Sequence, residues 1–250
     1  MNPQREILGG KNVVLEILKA GRRKVYKVFW ARKAGDAKSE ELKNLLASKN
    51  IPVNEVHPSE IANMTGSNEH QGVAAQVSAF QYAELEEVIQ KAIEDKKGGF
   101  LVLLDEIQDP HNVGAIIRTA HQCGASGLIL LKHRQVPITN AVCKAAAGAQ
   151  EWLRIVKEVN LVNVINYLKS NNFFIYGSTG DGGESIFEEK FNFPIALLLG
   201  SEGRGLRRLV REHCDRLLTV PMDGNIDSLN VSVAAGIFMG QILCQRHLSP

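Results

Sequence analysis

Three polar stretches in this 250-residue chain hold residue types that could do chemistry. The first, Asp109-Pro110-His111-Asn112-Val113-Gly114, follows an apolar run ending at Asp105 and leads into a helical pattern, Ala115–Ala120, that contains Arg118. Asp109 or Asn112 suits a helix N-cap, where a side-chain oxygen accepts from a free backbone N–H. Arg118, in the first or second turn of that helix, would hold out a planar fork of donors that matches a phosphate; a surface ion pair is the ordinary alternative. The second stretch, Leu199-Gly200-Ser201-Glu202-Gly203-Arg204-Gly205-Leu206, has three glycines in six positions, a density that lets backbone turn tightly and approach a ligand. It matches neither GxGxxG nor GxxxxGK[ST], so a dinucleotide fingerprint and a P-loop are unsupported. Glu202 could cap the helix that follows. Arg204, Arg207, Arg208 and Arg211 have the spacing of a basic stripe on it, suited to RNA or partner contact or to a solvated face. The third stretch, Pro221 to Asn230, runs into an apolar helix Val231–Leu243; Ser228 and Asn230 are both good caps, and both suit a pocket for a small polar ligand.

The elements that must position these stretches read as follows. From Phe100 onward the chain alternates nearly continuous apolar runs, LVLLDEI, GLILL, FFIYGST, IALLLG and RLLTVPM, with helical or loop segments. Runs apolar on both faces predict a parallel sheet covered by helices on both sides, with the ligand site beyond the carboxyl ends of the strands. Ahead of it, a helix near Asn12, strands at Val25–Ala31, Pro52–His57 and Val73–Phe80, a helix across Ala37–Ser48 and a short helix after Pro58 predict a small αβ module. The domain assignment is residues 1–80, a linker at 81–99, and 100–250.

Composition excludes several classes. Hydrophobic residues at 44% and charged residues at 22% are ordinary for a folded protein, and no stretch approaches the roughly 20 apolar residues of a membrane span. The N-terminus lacks the apolar run of a secretory signal, so the expected location is the cytoplasm, with no membrane partner. Cys123, Cys143, Cys214 and Cys244 form no CxxC pair, and no metal is expected. Residues 1–80 hold 12 Lys+Arg against 8 Asp+Glu, an excess of 12 − 8 = +4, whereas residues 100–250 hold 14 of each.

Taken jointly, DPHNVGAIIRTA, LGSEGRGL and VPMDGNIDSLNVSVAAGI resemble the three signature motifs of the SpoU-type (TrmH family) RNA 2′-O-ribose methyltransferases of the SPOUT superfamily, over Leu101 to about Gln245. GGKNVV, VFWARK and HQGVAAQV are similar to the small RNA-binding domain that many members carry. The resemblance implies an α/β methyltransferase domain with a deep trefoil knot, a homodimer, S-adenosylmethionine as cofactor, and a ribose 2′-hydroxyl of structured RNA as acceptor, with a guanosine of 23S ribosomal RNA the expected target. It implies Gly200, Val220, Met222 and Leu229 around the cofactor, and Asn112, Arg118, Glu202, Ser228 and Asn230 as the polar catalytic face. A sulfonium is already a good leaving group, so these residues would chiefly align the acceptor oxygen and assist loss of its proton. A guanidinium gives up a proton very reluctantly, which favours Arg118 as a phosphate clamp over a base. A transfer-RNA enzyme of the same superfamily and a non-catalytic ribosomal-RNA-binding factor with this fold are the alternatives.

Overall fold

The computed structural model describes residues 5–31, 37–225 and 228–248. In chain order the first elements are β1 (Arg5–Gly9), α1 (Lys11–Ala20), β2 (Val25–Ala31), α2 (Ala37–Ser48), β3 (Val53–Val56), α3 (Pro58–Thr65) and β4 (Val73–Ser78). They are followed by α4 (Leu85–Ile93), β5 (Phe100–Asp105), α5 (Pro110–Gln122), β6 (Gly127–Leu131), α6 (Asn140–Ala145), β7 (Ile155–Glu158), α7 (Leu161–Ser170) and β8 (Phe174–Ser178). The last are β9 (Glu184–Ser185), β10 (Ile195–Gly200), α8 (Arg208–Glu212), β11 (Arg216–Thr219) and α9 (Val231–Leu248). Two compact units result, residues 1–81 with 138–152, and residues 82–137 with 153–250.

In the first unit, β1 and β2 both pair antiparallel with β4, and β3 adds parallel to β2, in the order β1-β4-β2-β3. Helix α3 starts where it does because Pro58 presets the first turn and the His57 side chain accepts from Ser59 N, with Glu60 reaching back to His57 N at 2.9 Å. The segment 138–152, assigned from sequence to the catalytic domain, belongs to this unit. Asn140 joins Gly9 N to Thr65 O, both at 2.9 Å, and the buried Glu151 lies 3.5 Å from the guanidinium of Arg23, itself paired with Glu6. Burial raises the Glu151 carboxyl, opposed by Arg23.

The second unit is built on a seven-stranded sheet, β7-β6-β5-β10-β8-β11-β9, in which every pairing is parallel. All six residues of β5 and of β10 are buried, as strands covered on both faces must be. Leu101, Leu103, Ala196 and Leu198 pack with Val88 and Ile89 of α4 and with Leu161, Val164, Ile165 and Leu168 of α7. Such a fully buried side chain contributes about 1.5–3 kcal/mol relative to exposure. Helices α5 and α9 pack on each other, α5 touching β6 and α9 touching β10.

The stretch expected as a linker at 81–99 is instead part of this unit. Ala83 bridges to Val156 and donates to Ile155 O at 2.8 Å, and α4 buries Val88, Ile89 and Ala92 in the core. An amphipathic helix with a complete apolar face must bury it somewhere, and this sheet is where it does so. Strands β7 and β9, four and two residues long, escape the sequence pattern altogether.

Candidate active site

Strand order decides which loops meet. In the β5–β10 pairing Asp105 stands opposite Gly200, so the loops after these two strands leave the sheet side by side. Asp105, 1% exposed, fixes that juncture: its Oδ1 accepts from Arg207 Nε at 2.7 Å and its Oδ2 from Arg207 N at 2.8 Å. On the other side of β10, Leu218 of β11 stands opposite Ser178 of β8, bringing residues 178–181 beside residues 219–222. The carboxyl ends of four neighbouring strands therefore present one continuous row of loops, the place where parallel α/β sheets bind ligands.

Three side chains from three of these loops are joined directly. Asn112 Nδ2 donates to Glu202 Oε1 at 3.0 Å, and Asn230 Nδ2 donates both to Asn112 Oδ1 at 3.0 Å and to the same Glu202 oxygen. Asn112 is free for this because Asp109 is the cap of α5, accepting from His111 N at 2.7 Å. Asn230 serves twice, since its Oδ1 also accepts from Ser232 N and Ser232 Oγ and so caps α9. The second Glu202 oxygen, Oε2, takes no hydrogen bond among the described residues. The arrangement holds a carboxylate in one orientation with an acceptor atom open to a hydroxyl, which is what alignment and deprotonation of an alcohol require.

Beside this network lies a cavity of about 910 Å³. Gly200, Val220, Met222 and Leu229 all line it, as do Glu202 and Ser228; Ser228 is exposed, and Ile226 and Asp227 lie outside the described residues. The glycine-rich loop closes on itself: Gly205 N donates to Ser201 O at 2.9 Å, and a Cβ at Gly200 would sit 2.2 Å from Gly205 C. Gly205 adopts φ +64°, a left-handed conformation that only glycine takes without strain. Thus Gly200 is required first by the loop's own backbone and only through it by a ligand.

Arg118 is placed differently from the other polar residues. Helix α5 begins at Pro110 rather than near Ala115, so Arg118 stands in its third turn, exposed, with no ion pair or hydrogen bond among the described residues; like Asn112 and Asn230, it does not line the cavity. The expected basic stripe does not form. Helix α8 starts only at Arg208 because Arg207 is held by Asp105; Arg208 pairs with Glu212 at 2.7 Å, Arg211 lies 3.8 Å from Asp181, and Arg204 lines the cavity from the loop. Ser178, Thr179, Gly180 and Asp181 also form the cavity wall; Ser178 and Thr179 end the run FFIYGST and Gly180 and Asp181 follow it, the same place relative to a strand that the other loops occupy. Burial in this unit raises the Cys214 thiol, beneath α8, to about 12.

With this geometry in view, residues 99–240 match the family described as SpoU rRNA Methylase, and residues 7–83 match RNA 2′-O ribose methyltransferase substrate binding. YacO of Bacillus subtilis, assigned by name to the TrmH family of tRNA/rRNA methyltransferases, is 37% identical over 247 residues, covering 99% of this chain and 98% of that protein. The 23S rRNA (guanosine-2′-O-)-methyltransferase RlmB of Haemophilus influenzae is 36% identical over 242 residues, 96% of this chain and 98% of its own length. The crystal structure of the SpoU methyltransferase AviRb from Streptomyces viridochromogenes, in complex with AdoMet, superposes with a TM-score of 0.80 over 98% of this chain and 92% of that one, at 22% identity. With a matching substrate-binding domain ahead of a matching catalytic domain, the chain belongs to the SpoU rRNA methylase family and is an RNA 2′-O-ribose methyltransferase.

Proposed function

We propose that the chain methylates the ribose 2′-hydroxyl of a guanosine of 23S ribosomal RNA, using S-adenosylmethionine. The observation that carries the catalytic reading is the hydrogen-bonded triangle of Asn112, Glu202 and Asn230, of which Glu202 lines the cavity. The cavity fits the donor: at about 910 Å³ it lies at the upper end of the roughly 300–1,000 Å³ usual for ligand pockets. Leu206, Val220, Met222 and Leu229 offer an apolar wall for a purine, while Asp181 and Arg211 offer opposite charges to a zwitterionic amino-acid end. S-adenosylmethionine supplies a methyl group already activated on a sulfonium.

The protein's part is position and proton removal. Asn112 and Asn230 orient Glu202, whose Oε2 accepts the hydrogen bond of the ribose hydroxyl; Ser228, exposed on the rim, contacts the substrate backbone. Arg118, with its charge unpaired, binds a phosphate of the RNA. It would do so in a homodimer formed through α9, a reading supported by the outward face of that helix. Val233 is 53% exposed, Cys244 is exposed, and nothing lies within 4 Å of a Cβ built on Gly236 or Gly240. The family's trefoil knot belongs to the same proposal.

The target is supported by the relatives named as 23S rRNA guanosine methyltransferases at 36% and 33% identity. Primer extension at low nucleotide concentration, on RNA from cells with and without the gene, is the test. A stop in 23S RNA that depends on the gene and lies at a guanosine supports the proposal; a stop confined to transfer RNA replaces the target.

A further inference from the structure

One feature of the four-stranded sheet is unexplained by its packing. The β2–β4 ladder shifts register between Val25 and Lys27, leaving Tyr26 as an extra residue without a partner on β4. Bulges of this kind re-aim a side chain. Here the half-buried Tyr26 ring meets cations instead of the core: Arg5 Cζ lies 4.2 Å and Lys24 Nζ 5.3 Å from its centroid.

Next to it, Lys27 Nζ lies 5.0 Å from the ring of Phe29. The three cations converge because β1 and β2 both run against β4. Arg5 stands opposite Ser78, Lys24 N donates to Ser78 Oγ at 3.2 Å, and Lys27 stands opposite Gln76, whose Oε1 lies 3.5 Å from Arg5 Nη1. Arg5, Lys24 and Lys27 meet no carboxylate among the described residues, in a segment with an excess of 12 − 8 = +4 charges over residues 1–80. Uncompensated cations around a half-buried aromatic ring are the composition of a single-strand nucleic-acid surface: phosphates meet the cations, and bases stack on rings and guanidinium planes alike.

We propose that an unpaired nucleotide of the substrate RNA stacks at Tyr26, with its flanking phosphates held by Arg5, Lys24 and Lys27. This rests on the RNA-substrate reading above and adds the class of element recognised, a looped-out or single-stranded nucleotide rather than a duplex. The probe is a fluorescent oligouridylate of about a dozen nucleotides, titrated against the full chain by anisotropy at several salt concentrations. Tyr26→Ala is expected to weaken binding by roughly ten-fold or more, and Tyr26→Phe by no more than about two-fold. The double replacement Arg5→Gln, Lys24→Gln is expected to lower the slope of log K against log salt by about 0.7 per cation removed. S-adenosylmethionine affinity by calorimetry should stay at the parent value in each, which also reports that the variants are folded.

A parent chain that does not bind the oligouridylate, or Tyr26→Ala and the double variant binding it with the parent's affinity and slope, overturns the proposal. So does a duplex RNA of equal length that binds as tightly as the single strand and loses the same factor in Tyr26→Ala. The primer-extension result is independent: a missing stop with these binding effects intact removes the methyl-transfer target and leaves this surface in place.

Discussion

The two sheets present their polar residues in opposite ways. At the carboxyl edge of the seven-stranded sheet, the polar side chains are partnered with one another: Asp105 with Arg207, Asn112 with Glu202, Asn230 with both. At the bulged end of the four-stranded sheet, Arg5, Lys24 and Lys27 stand over aromatic rings with their charge uncompensated. The roles proposed for the two regions account for the difference. Reacting groups must be held to a fraction of an ångström before substrate arrives, so they are pre-bonded. Groups that bind a phosphate backbone act through charge and counterion release, and a local carboxylate would cancel them.

The bluntest way to break this comparison is to separate the regions. A chain beginning at Gly98 loses α4, and with it Val88, Ile89 and Ala92 from the core of the second unit. It also strips residues 138–152 of the unit they pack into. Burial of three such side chains is worth several kcal/mol against a total stability of about 5–15 kcal/mol, so this chain is expected to be unfolded by circular dichroism. A cooperative unfolding transition with bound cofactor would show that the regions are independent after all.

Within the pre-bonded region, Glu202→Gln and Asn230→Asp are expected to lower the single-turnover methylation rate by roughly 10²-fold or more at saturating cofactor. Asn230→Asp keeps the acceptor that caps α9 but replaces the amide that donates to Glu202 with a second carboxylate, whereas Asn230→Ala also loses a cap worth about 1 kcal/mol. A rate within a few-fold of the parent in Asn230→Asp would remove Asn230 from the reacting face.

Gly200→Val tests the loop rather than the network. Its Cβ would need the space held by Gly205 and Leu206 backbone, so the loop must shift, and calorimetry should show cofactor affinity reduced by about ten-fold or more. Undiminished affinity in a folded variant would move the cofactor away from this loop.

The finest comparison uses the thiols. Cys143 in the first unit and Cys214 in the second are both raised by burial, Cys214 to about 12, while Cys244 is exposed. Near pH 8 an alkylating reagent should modify Cys244 first. Cofactor should slow Cys214, which packs under the loop and helix that follow β10, and leave Cys143 unchanged. The Cys214 contribution to stability is fully present below the unfolded pKa near 9 and is lost as pH rises toward about 12. Equal protection of both thiols by cofactor would contradict a response confined to the second unit.

Much of the second unit is legible in the sequence because β5, β6 and β10 are buried on both faces and therefore read as unbroken apolar runs. The loops that follow them could be located for the same reason. What could not be read depends on partners distant in sequence. Both Asp109 and Asn112 look like caps, and only the approach of Glu202 shows which is freed for the site. The arginine spacing after Gly203 is helical, yet Asp105 binds Arg207 and delays the helix. Residues 138–152 carry only a local helical pattern, and nothing local says that it packs on β1 and α3.

That last segment has a consequence in time. Arg23 is made early and is buried, but its partner Glu151 is roughly 130 residues further along the chain. At synthesis rates of about 5–20 residues per second, the guanidinium waits on the order of ten seconds for that carboxylate. In the interval β5 and β6 of the other unit leave the ribosome. The first unit is therefore the first to begin folding but cannot finish until residues 138–152 have followed β5 and β6 out, and a pause in translation before Glu151 would prolong exposure of the surface that those residues cover.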